Sequence, residues 1–299
     1  MTIKVLRASE PLKVETIVVA IYSNPGLGKS TLGFSCDKPI LLDFDGGAYR
    51  AANRGDSVQI SSWENASNIT SDDLAEFNTV VIDTAGRALD FLSMDIIAKN
   101  PKMGYGMALT LQGYGRLKSE FTSWLKALRT MGKDIVLIAH SSEEKNGDDI
   151  IERLDVQGGS KNEIYKSADA MGRLSLVVGK RVLNFSPTDT SFGKNPACLS
   201  PLPVPDIAVE PTFMGDVLAT IKEALNTLSE EQVKRRTVVA DWQAKIGKTK
   251  TVDQYNELIP DIDKVDIKLK PTIKGMLHAA ATEAGLVGDK KTKKYKEAE

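Results

Sequence analysis

The first two thirds of the chain alternate between apolar runs and segments whose apolar residues recur at helical spacing. Continuous apolar runs predict four buried parallel strands, at residues 17–22, 39–45, 79–84 and 134–139. Helical spacing predicts helices over 87–98 and 117–131. Two shorter apolar runs on either side of Gly179 predict a hairpin. We therefore expect an α/β fold with a mainly parallel sheet flanked by helices.

The pattern changes near residue 228. Helical segments are predicted at 214–228, 230–246, 252–258 and 272–284, and charged linkers join the last three. We therefore predict a core over residues 1–228 and a small helical C-terminal domain over 229–299. The stretch 290–296 is basic and contains one aromatic residue, which suits either phosphate binding with base stacking or a solvated tail.

The composition bears on where the protein is located in the cell and says little about the reaction it performs. Of 299 residues, 41% are hydrophobic and 26% are charged, as in ordinary globular proteins. No apolar run approaches the roughly 20 residues of a membrane span, and the first 15 residues lack the apolar segment of a secretory signal. Two cysteines give no disulfide framework. We expect a cytoplasmic protein with no membrane partner.

A glycine-rich turn between the first strand and a helical segment carries the clearest chemistry. The sequence Ser-Asn-Pro-Gly-Leu-Gly-Lys-Ser at 23–30 matches a phosphate-binding loop, except that Ser23 stands where the usual pattern has glycine. The glycines let backbone N–H groups point at an anion, Lys29 reaches the β- and γ-phosphates, and Ser30 offers a hydroxyl to Mg²⁺. The predicted nucleotide-binding residues are Asn24, Pro25, Gly26, Leu27, Gly28, Lys29, Ser30 and Thr31.

A second motif complements this loop. The apolar strand at 79–84 places Asp83 near its carboxyl end, the arrangement that holds Mg²⁺ beside a bound nucleoside triphosphate. In a parallel sheet this edge is also where ligands bind. Ser30 and Asp83 are therefore the predicted metal ligands, with ATP and Mg²⁺ as cofactors.

One alternative is a GTPase of the signal-recognition type. Residues 83–87, Asp-Thr-Ala-Gly-Arg, reproduce a motif of that family. However, no Asn-Lys-x-Asp or Thr-Lys-x-Asp sequence for reading guanine occurs anywhere in the chain. The amino-terminal helical bundle of that family is also missing, so this alternative is disfavoured.

The order of motifs resembles the RecA-like recombination ATPases, most closely the small phage group related to the Sak single-strand annealing proteins. The resemblance covers most of residues 1–228. Its motifs are YSNPGLGKST (22–31), LLDFDGG (41–47), VVIDT (80–84), a Gly-rich loop, IVLIAHS (135–141) and VQGGSKNEIYKSADAMGRL (156–174). It implies a RecA-like P-loop fold and ATP hydrolysis coupled to single-stranded DNA, in a phage or prophage protein.

By this resemblance, further residues acquire roles. Asp45 would polarise the attacking water, although the family residue is often Glu. His140 would sense the γ-phosphate, and Lys194 resembles a lysine that reaches a neighbouring subunit's nucleotide. The segments 100–115 and 141–157 would be DNA-contacting loops, although the second is rich in acids. The candidate DNA contacts are Tyr105, Tyr114, Arg116, Lys145 and Arg153.

We accordingly expect an ATPase that acts on single-stranded DNA in recombination or annealing. Its expected assembly is a homo-oligomer, a filament or ring with ATP at the protomer interface, with a single-strand-binding protein as a further possible partner. The alternative is a nucleotide-dependent loader with little turnover, whose C-terminal helices would bind a protein.

Overall fold

The computed structural model describes residues 7, 10–106, 108–146, 149–156, 160–289 and 292–297. They form two compact units. One runs from Val14 to Leu225, and the other combines the described parts of Met1–Lys13 and Asn226–Glu299. The sequence placed the division after residue 228 and the first 14 residues in the core. In the structure the Leu12 N–H donates to Ser229 Oγ at 2.8 Å, so this lead-in packs with the second unit.

Strands and helices alternate through most of the first unit. The strands are β1 (Val18–Ser23), β2 (Pro39–Asp43), β3 (Ser57–Gln59), β4 (Thr79–Asp83), β5 (Gly104–Tyr105), β6 (Ala108–Leu109), β7 (Asp134–Asn146), β8 (Asp149–Leu154), β9 (Ala170–Val177), β10 (Lys180–Asn184), β11 (Leu202–Pro203), β12 (Leu286–Gly288) and β13 (Tyr295–Glu297). The helices are α1 (Lys29–Gly33), α2 (Trp63–Ser67), α3 (Ala85–Lys99), α4 (Leu111–Thr130), α5 (Ser160–Ser167), α6 (Phe213–Gly247), α7 (Val252–Ile262) and α8 (Lys270–Glu283). Short 3-10 turns lie at Ala48–Arg50 and Pro101–Met103.

The central sheet has the strand order β3-β2-β4-β7-β1-β9-β10-β11. The first six strands are parallel, and the β9–β10 hairpin and β11 add an antiparallel edge. The register pairs Ser23 with His140 and Asp43 with Asp83. Four central strands therefore reach the same edge together. The predicted α/β sheet is confirmed.

Apolar clusters cover both faces of this sheet, because alternate residues of each strand point to opposite sides. Ala20 and Tyr22 join one cluster with apolar side chains of α3 and α4, whereas Val19 and Ile21 join the other with side chains of α1 and of the start of α6. Trp124 of α4 is 7% exposed and its indole N–H donates to the Ala66 carbonyl, so it is a core residue. Within the described residues, no helix is both long and apolar enough to cross a membrane.

Two segments predicted as loops are ordered elements. Helix α4 begins at Leu111, capped by the Thr110 hydroxyl, so the predicted loop at 100–115 ends early. A Cβ on Gly113 would lie 2.5 Å from the Met103 carbonyl oxygen, which explains a glycine inside this helix. The segment 141–157 is mostly a hairpin, because β7 continues to Asn146 and pairs antiparallel with β8. Residues 157–159 lie outside the described residues.

The C-terminal unit contains the end of α6, helices α7 and α8, and the antiparallel pair β12–β13. The two helices predicted at 214–228 and 230–246 are one continuous helix, since neither glycine nor proline interrupts the sequence between them. The core of this unit includes Trp242, Tyr255, Ile262, Ile273 and Leu277. This confirms a helical C-terminal region and adds a small two-stranded sheet to it.

Candidate nucleotide site

The loop between β1 and α1 has the backbone that the sequence predicted. Gly26 and Gly28 have φ values of 81° and 83°, the left-handed region that glycine adopts without strain. Lys29 is only 7% exposed, and its Nζ donates to the carbonyls of Ser23 and Asn24 and to Ser23 Oγ, each at 3.0 Å. Burial lowers the pKa of Lys29 to about 8, against the opposing effects of Asp83 and Asp45.

Ser30 and Asp83 meet at the start of α1. The Ser30 hydroxyl donates to Asp83 Oδ2 at 2.5 Å, and burial raises the pKa of the Asp83 carboxyl. These are hard oxygen donors of the kind that Mg²⁺ prefers. Among the described residues no three His, Cys, Asp or Glu side chains form a metal-binding group. A Mg²⁺ ion held by this pair would therefore depend on phosphate and water oxygens for its remaining ligands.

Asp45, which follows β2, and His140 of β7 lie beside each other next to Lys29. Asp45 Oδ1 accepts from Arg87 Nε at 3.2 Å, and its Oδ2 lies 3.7 Å from His140 Nε2. The other ring nitrogen, Nδ1, is 3.4 Å from Lys29 Nζ. His140, followed by Arg87, holds the pKa of the Asp45 carboxyl below its usual range.

These side chains surround one cavity of about 360 Å³ at the carboxyl edge of the sheet. It is lined by Pro25, Gly26, Gly28, Lys29, Ser30, Thr31, Asp45, Gly47, Arg50, Ala51, Asp83 and His140. The structure thus brings the predicted catalytic residues Lys29, Asp45, Asp83 and His140 together. Two predicted loop residues lie beside the cavity: Leu27 packs on the apolar core, and Asn24 Oδ1 accepts from the Ser141 hydroxyl at 2.5 Å.

Sequence reasoning missed four residues around this cavity. Asp43 accepts from the N–H groups of Gly47 and Ala48, both at 2.9 Å, and so fixes the turn that carries Asp45. Arg87 anchors Asp45 directly. Arg50 lines the cavity, and the Arg181 guanidinium lies against Gly28 while donating to the Pro205 carbonyl. The acidic pair in Asp43-Phe44-Asp45 gave a sequence signal, and Arg87 appeared only as the end of the motif at 83–87. Nothing in the local sequence indicated Arg50 or Arg181.

The predicted DNA contacts differ in their exposure and in their partners within the chain. Tyr105 is 87% exposed, but Tyr114 packs against the core and Arg116 pairs with Glu120 at 2.6 Å. Lys145 is exposed on the β7–β8 hairpin.

Arg153, on the same hairpin, is committed to contacts within the chain. Its guanidinium lies 3.9 Å from the Phe192 ring centroid and 3.4 Å from a Glu144 carboxylate oxygen. The neighbouring Glu152 accepts two hydrogen bonds from Arg173. These contacts fix the base of the hairpin.

Lys194 lies on the irregular segment after β10. Its Nζ donates to the Ala168 carbonyl at 2.5 Å, and its backbone pairs with Met171. In a single chain this lysine therefore ties the segment to the start of β9, and an intersubunit role stays a prediction.

Strand order, phosphate loop and buried Asp83 together define a RecA-like P-loop NTPase. The family model AAA_24, described as an AAA domain, matches residues 15–197, more than half of the chain, and the chain belongs to this family. The predicted RecA-like P-loop class is confirmed, whereas the closer likeness to phage annealing proteins stays a prediction.

Comparisons with solved structures and with curated protein sequences add little to this family assignment. Among solved structures, the chain is similar to a KaiC-like protein from the hyperthermophilic archaeon Pyrococcus horikoshii OT3. The match has 11% identity and a TM-score of 0.33, and it covers 58% of this chain and 86% of the other. This likeness is too weak to inform the mechanism. No curated protein sequence matches the chain.

Proposed function

We propose that this protein hydrolyses ATP, with Mg²⁺, and couples hydrolysis to single-stranded DNA in phage recombination or annealing. The observation that supports ATP hydrolysis most directly is the single cavity shared by Lys29, Ser30, Asp83, Asp45 and His140. It combines a phosphate-binding cation, two metal-ligand oxygens, a carboxylate and an imidazole at one sheet edge.

Each side chain has a defined task in this mechanism. Lys29 exchanges loop acceptors for β- and γ-phosphate oxygens, and Ser30 and Asp83 would hold Mg²⁺, which would neutralise phosphate charge. Asp45 orients a water molecule for attack on the γ-phosphorus and accepts its proton, while the bond to the ADP leaving oxygen breaks. His140, beside both Lys29 and Asp45, responds to the loss of the γ-phosphate.

The DNA role rests on the resemblance and on the β7–β8 hairpin, which extends from His140. β7 carries His140 and continues into the hairpin that bears Lys145, so the proposed γ-phosphate sensor and a proposed DNA contact lie on one strand. In the proposed assembly, a cytoplasmic homo-oligomer in the host, Lys194 leaves Ala168 and contacts the nucleotide of a neighbouring protomer.

The decisive experiment measures ATP hydrolysis with and without single-stranded DNA, at about 50 and about 200 mM salt. We expect stimulation at low salt that declines at the higher concentration, because phosphate contacts release counterions. The same titrations without ATP separate DNA binding from its coupling to hydrolysis.

A specific observation favours a second candidate, a nucleotide-dependent loader with little turnover. The hairpin carries exposed Glu143 and Glu144, and Arg153 is already engaged, so this surface suits a phosphate backbone poorly. ATP binding without DNA stimulation would favour the loader, and absence of ATP binding would exclude both candidates.

A further inference from the structure

A second cavity lies entirely within the C-terminal unit. It has a volume of about 540 Å³, within the usual range of ligand sites. Ile259, Ile262 and Leu277 form its apolar lining, and Lys274, His278 and Tyr295 are among its polar and aromatic lining residues. None of these residues belongs to the nucleotide site.

The wall formed by β13 is held in place by a contact distant in sequence. Asn256 of α7 donates to the Tyr295 carbonyl at 3.0 Å and accepts from the Tyr295 N–H at 2.7 Å. The Tyr295 ring contacts Tyr255 edge-on at 6.1 Å and lies nearly parallel to His278, with centroids 6.3 Å apart. The basic end of the chain therefore includes a docked strand with an ordered aromatic residue.

Backbone hydrogen bonds with Asp289 place two lysines beside this strand. The Asp289 N–H donates to the Lys294 carbonyl and the Lys293 N–H donates to the Asp289 carbonyl, both at 2.8 Å. Within the described part of the chain neither Lys293 nor Lys294 forms an ion pair. Lys274 faces the same cavity from α8, and its ammonium lies 3.4 Å from Asp263.

The lining of this cavity carries a modest excess of positive charge. Lys274, Lys293 and Lys294 face two aspartates, Asp263 and Asp289, and the sequence from 261 to 297 has nine lysines and six acidic residues. An excess of lysine around a cavity with an exposed aromatic ring suits a flexible polyanion whose bases can stack. A duplex presents no unstacked base to such a ring.

We propose that this C-terminal cavity binds single-stranded DNA, with Lys274, Lys293 and Lys294 on the phosphates and a base against His278, which is backed by Tyr295. The inference rests on the proposed function in one respect, that the chain meets single-stranded DNA. It differs in placing the anchoring site in the C-terminal unit. The β7–β8 hairpin of the ATPase core is acidic and therefore suits DNA less well.

The test compares two triple variants of the full-length chain. Lys274→Ala/Lys293→Ala/Lys294→Ala removes the cavity lysines, and Lys234→Ala/Lys248→Ala/Lys268→Ala removes the same charge from exposed positions outside the cavity. Binding of fluorescent oligothymidylate is measured over a salt series without nucleotide. We expect the cavity variant to lose about tenfold or more in affinity and to lower the salt slope by about two, since each phosphate contact contributes about 0.7.

A second measurement uses the fact that the sequence has only two histidines, His140 in the nucleotide cavity and His278 in the C-terminal cavity. In a protein labelled at histidine, NMR signals of the two rings report on the two sites separately, with His278→Ala giving the assignment. Oligothymidylate should shift the His278 signal, whereas a non-hydrolysable ATP analogue should shift that of His140.

Each outcome decides between the two proposals. If wild type binds DNA and the cavity variant binds equally well, the C-terminal site is wrong and the proposed function stands. If wild type hydrolyses ATP but binds no single-stranded DNA, both DNA assignments are wrong. A His278 shift caused by an acidic peptide but not by oligothymidylate would also overturn the inference, in favour of a protein partner.

Discussion

In the nucleotide cavity the decisive charges are largely buried and bonded within the fold, whereas in the C-terminal cavity the lysines are exposed. Lys29 and Asp83 are 7% and 6% exposed, but the Lys274 side chain is 57% exposed. A buried charge is held in one geometry and is expensive to leave without a partner. Exposed lysines contribute small, salt-screened amounts that accumulate. The first cavity should therefore depend on single residues, and the second on their number.

The strongest test of this difference is Lys29→Ala. We expect ATP affinity to fall by about 100-fold or more, because removing one partner of a buried charge pair costs about 2–5 kcal/mol. Isothermal titration calorimetry measures the loss, and Lys126→Ala, an exposed position on α4, is the control. Lys274→Ala alone should weaken DNA binding only a few-fold. Unchanged ATP affinity in Lys29→Ala would contradict the assigned phosphate loop.

Asp45→Asn separates chemistry from binding in the same cavity. The amide keeps the shape of the side chain but cannot accept a proton from water, so turnover should fall by about 100-fold or more. ATP affinity should stay within a few-fold of wild type, because Lys29 and the loop amides are unchanged. Steady-state hydrolysis and equilibrium binding are measured together, with Asp72→Asn, an exposed residue outside the cavity, as control. Full turnover in Asp45→Asn would assign the base elsewhere.

The two regions also differ in how much of them the sequence could predict. The phosphate loop and the Asp83 strand are local: glycine spacing and an apolar run ending in an acid suffice to place Lys29, Ser30 and Asp83. Arg87 and Asp45 are 42 residues apart and meet only because β2 and β4 are neighbours in the sheet. No local pattern encodes that pairing.

The wrong predictions have similar physical causes. Polar residues within 141–157 suggested a loop, but an exposed β-hairpin is equally polar, and only pairing between β7 and β8 distinguishes the two. Glycines at 113 and 115 suggested a loop, yet Gly113 is needed where α4 approaches the Met103 carbonyl. Strand β13 was not predicted, because Asn256, which fixes Tyr295, lies 39 residues earlier.

A glycine-to-alanine substitution in a helix beside each site compares how closely the two sites are packed. In α1 a Cβ on Gly33 would lie 2.8 Å from Val81 Cγ1 and 3.3 Å from Ile138 Cδ1. In α8 a Cβ on Gly275 meets nothing within 4 Å. Gly33→Ala should therefore destabilise the ATPase unit by about 1–3 kcal/mol through overpacking. Gly275→Ala should stabilise the C-terminal unit by about 0.5–1 kcal/mol, because alanine favours the helix.

Thermal unfolding followed by calorimetry checks both changes, and the two-unit structure requires that the transitions be fitted separately. Equal destabilisation by both substitutions would mean that α8 is as closely packed as α1, which would weaken the distinction between a rigid and an open site.

The smallest expected effect is that of replacing Arg87 on the rate of ATP hydrolysis. It tests whether the exposure of a charged side chain, rather than its position in the nucleotide cavity, determines how much the site depends on it. Arg87 belongs to the nucleotide site, but its side chain is 62% exposed while it holds Asp45. Exposed ion pairs contribute about 0.2–1 kcal/mol. Arg87→Gln should therefore slow hydrolysis by less than about fivefold, with unchanged ATP affinity and greater sensitivity of turnover to salt. Arg235→Gln, which breaks an exposed pair with Glu231 in the C-terminal unit, is the matched control. A loss as large as that of Asp45→Asn would show that Arg87 acts in the chemical step itself, and that position at the sheet edge outweighs exposure.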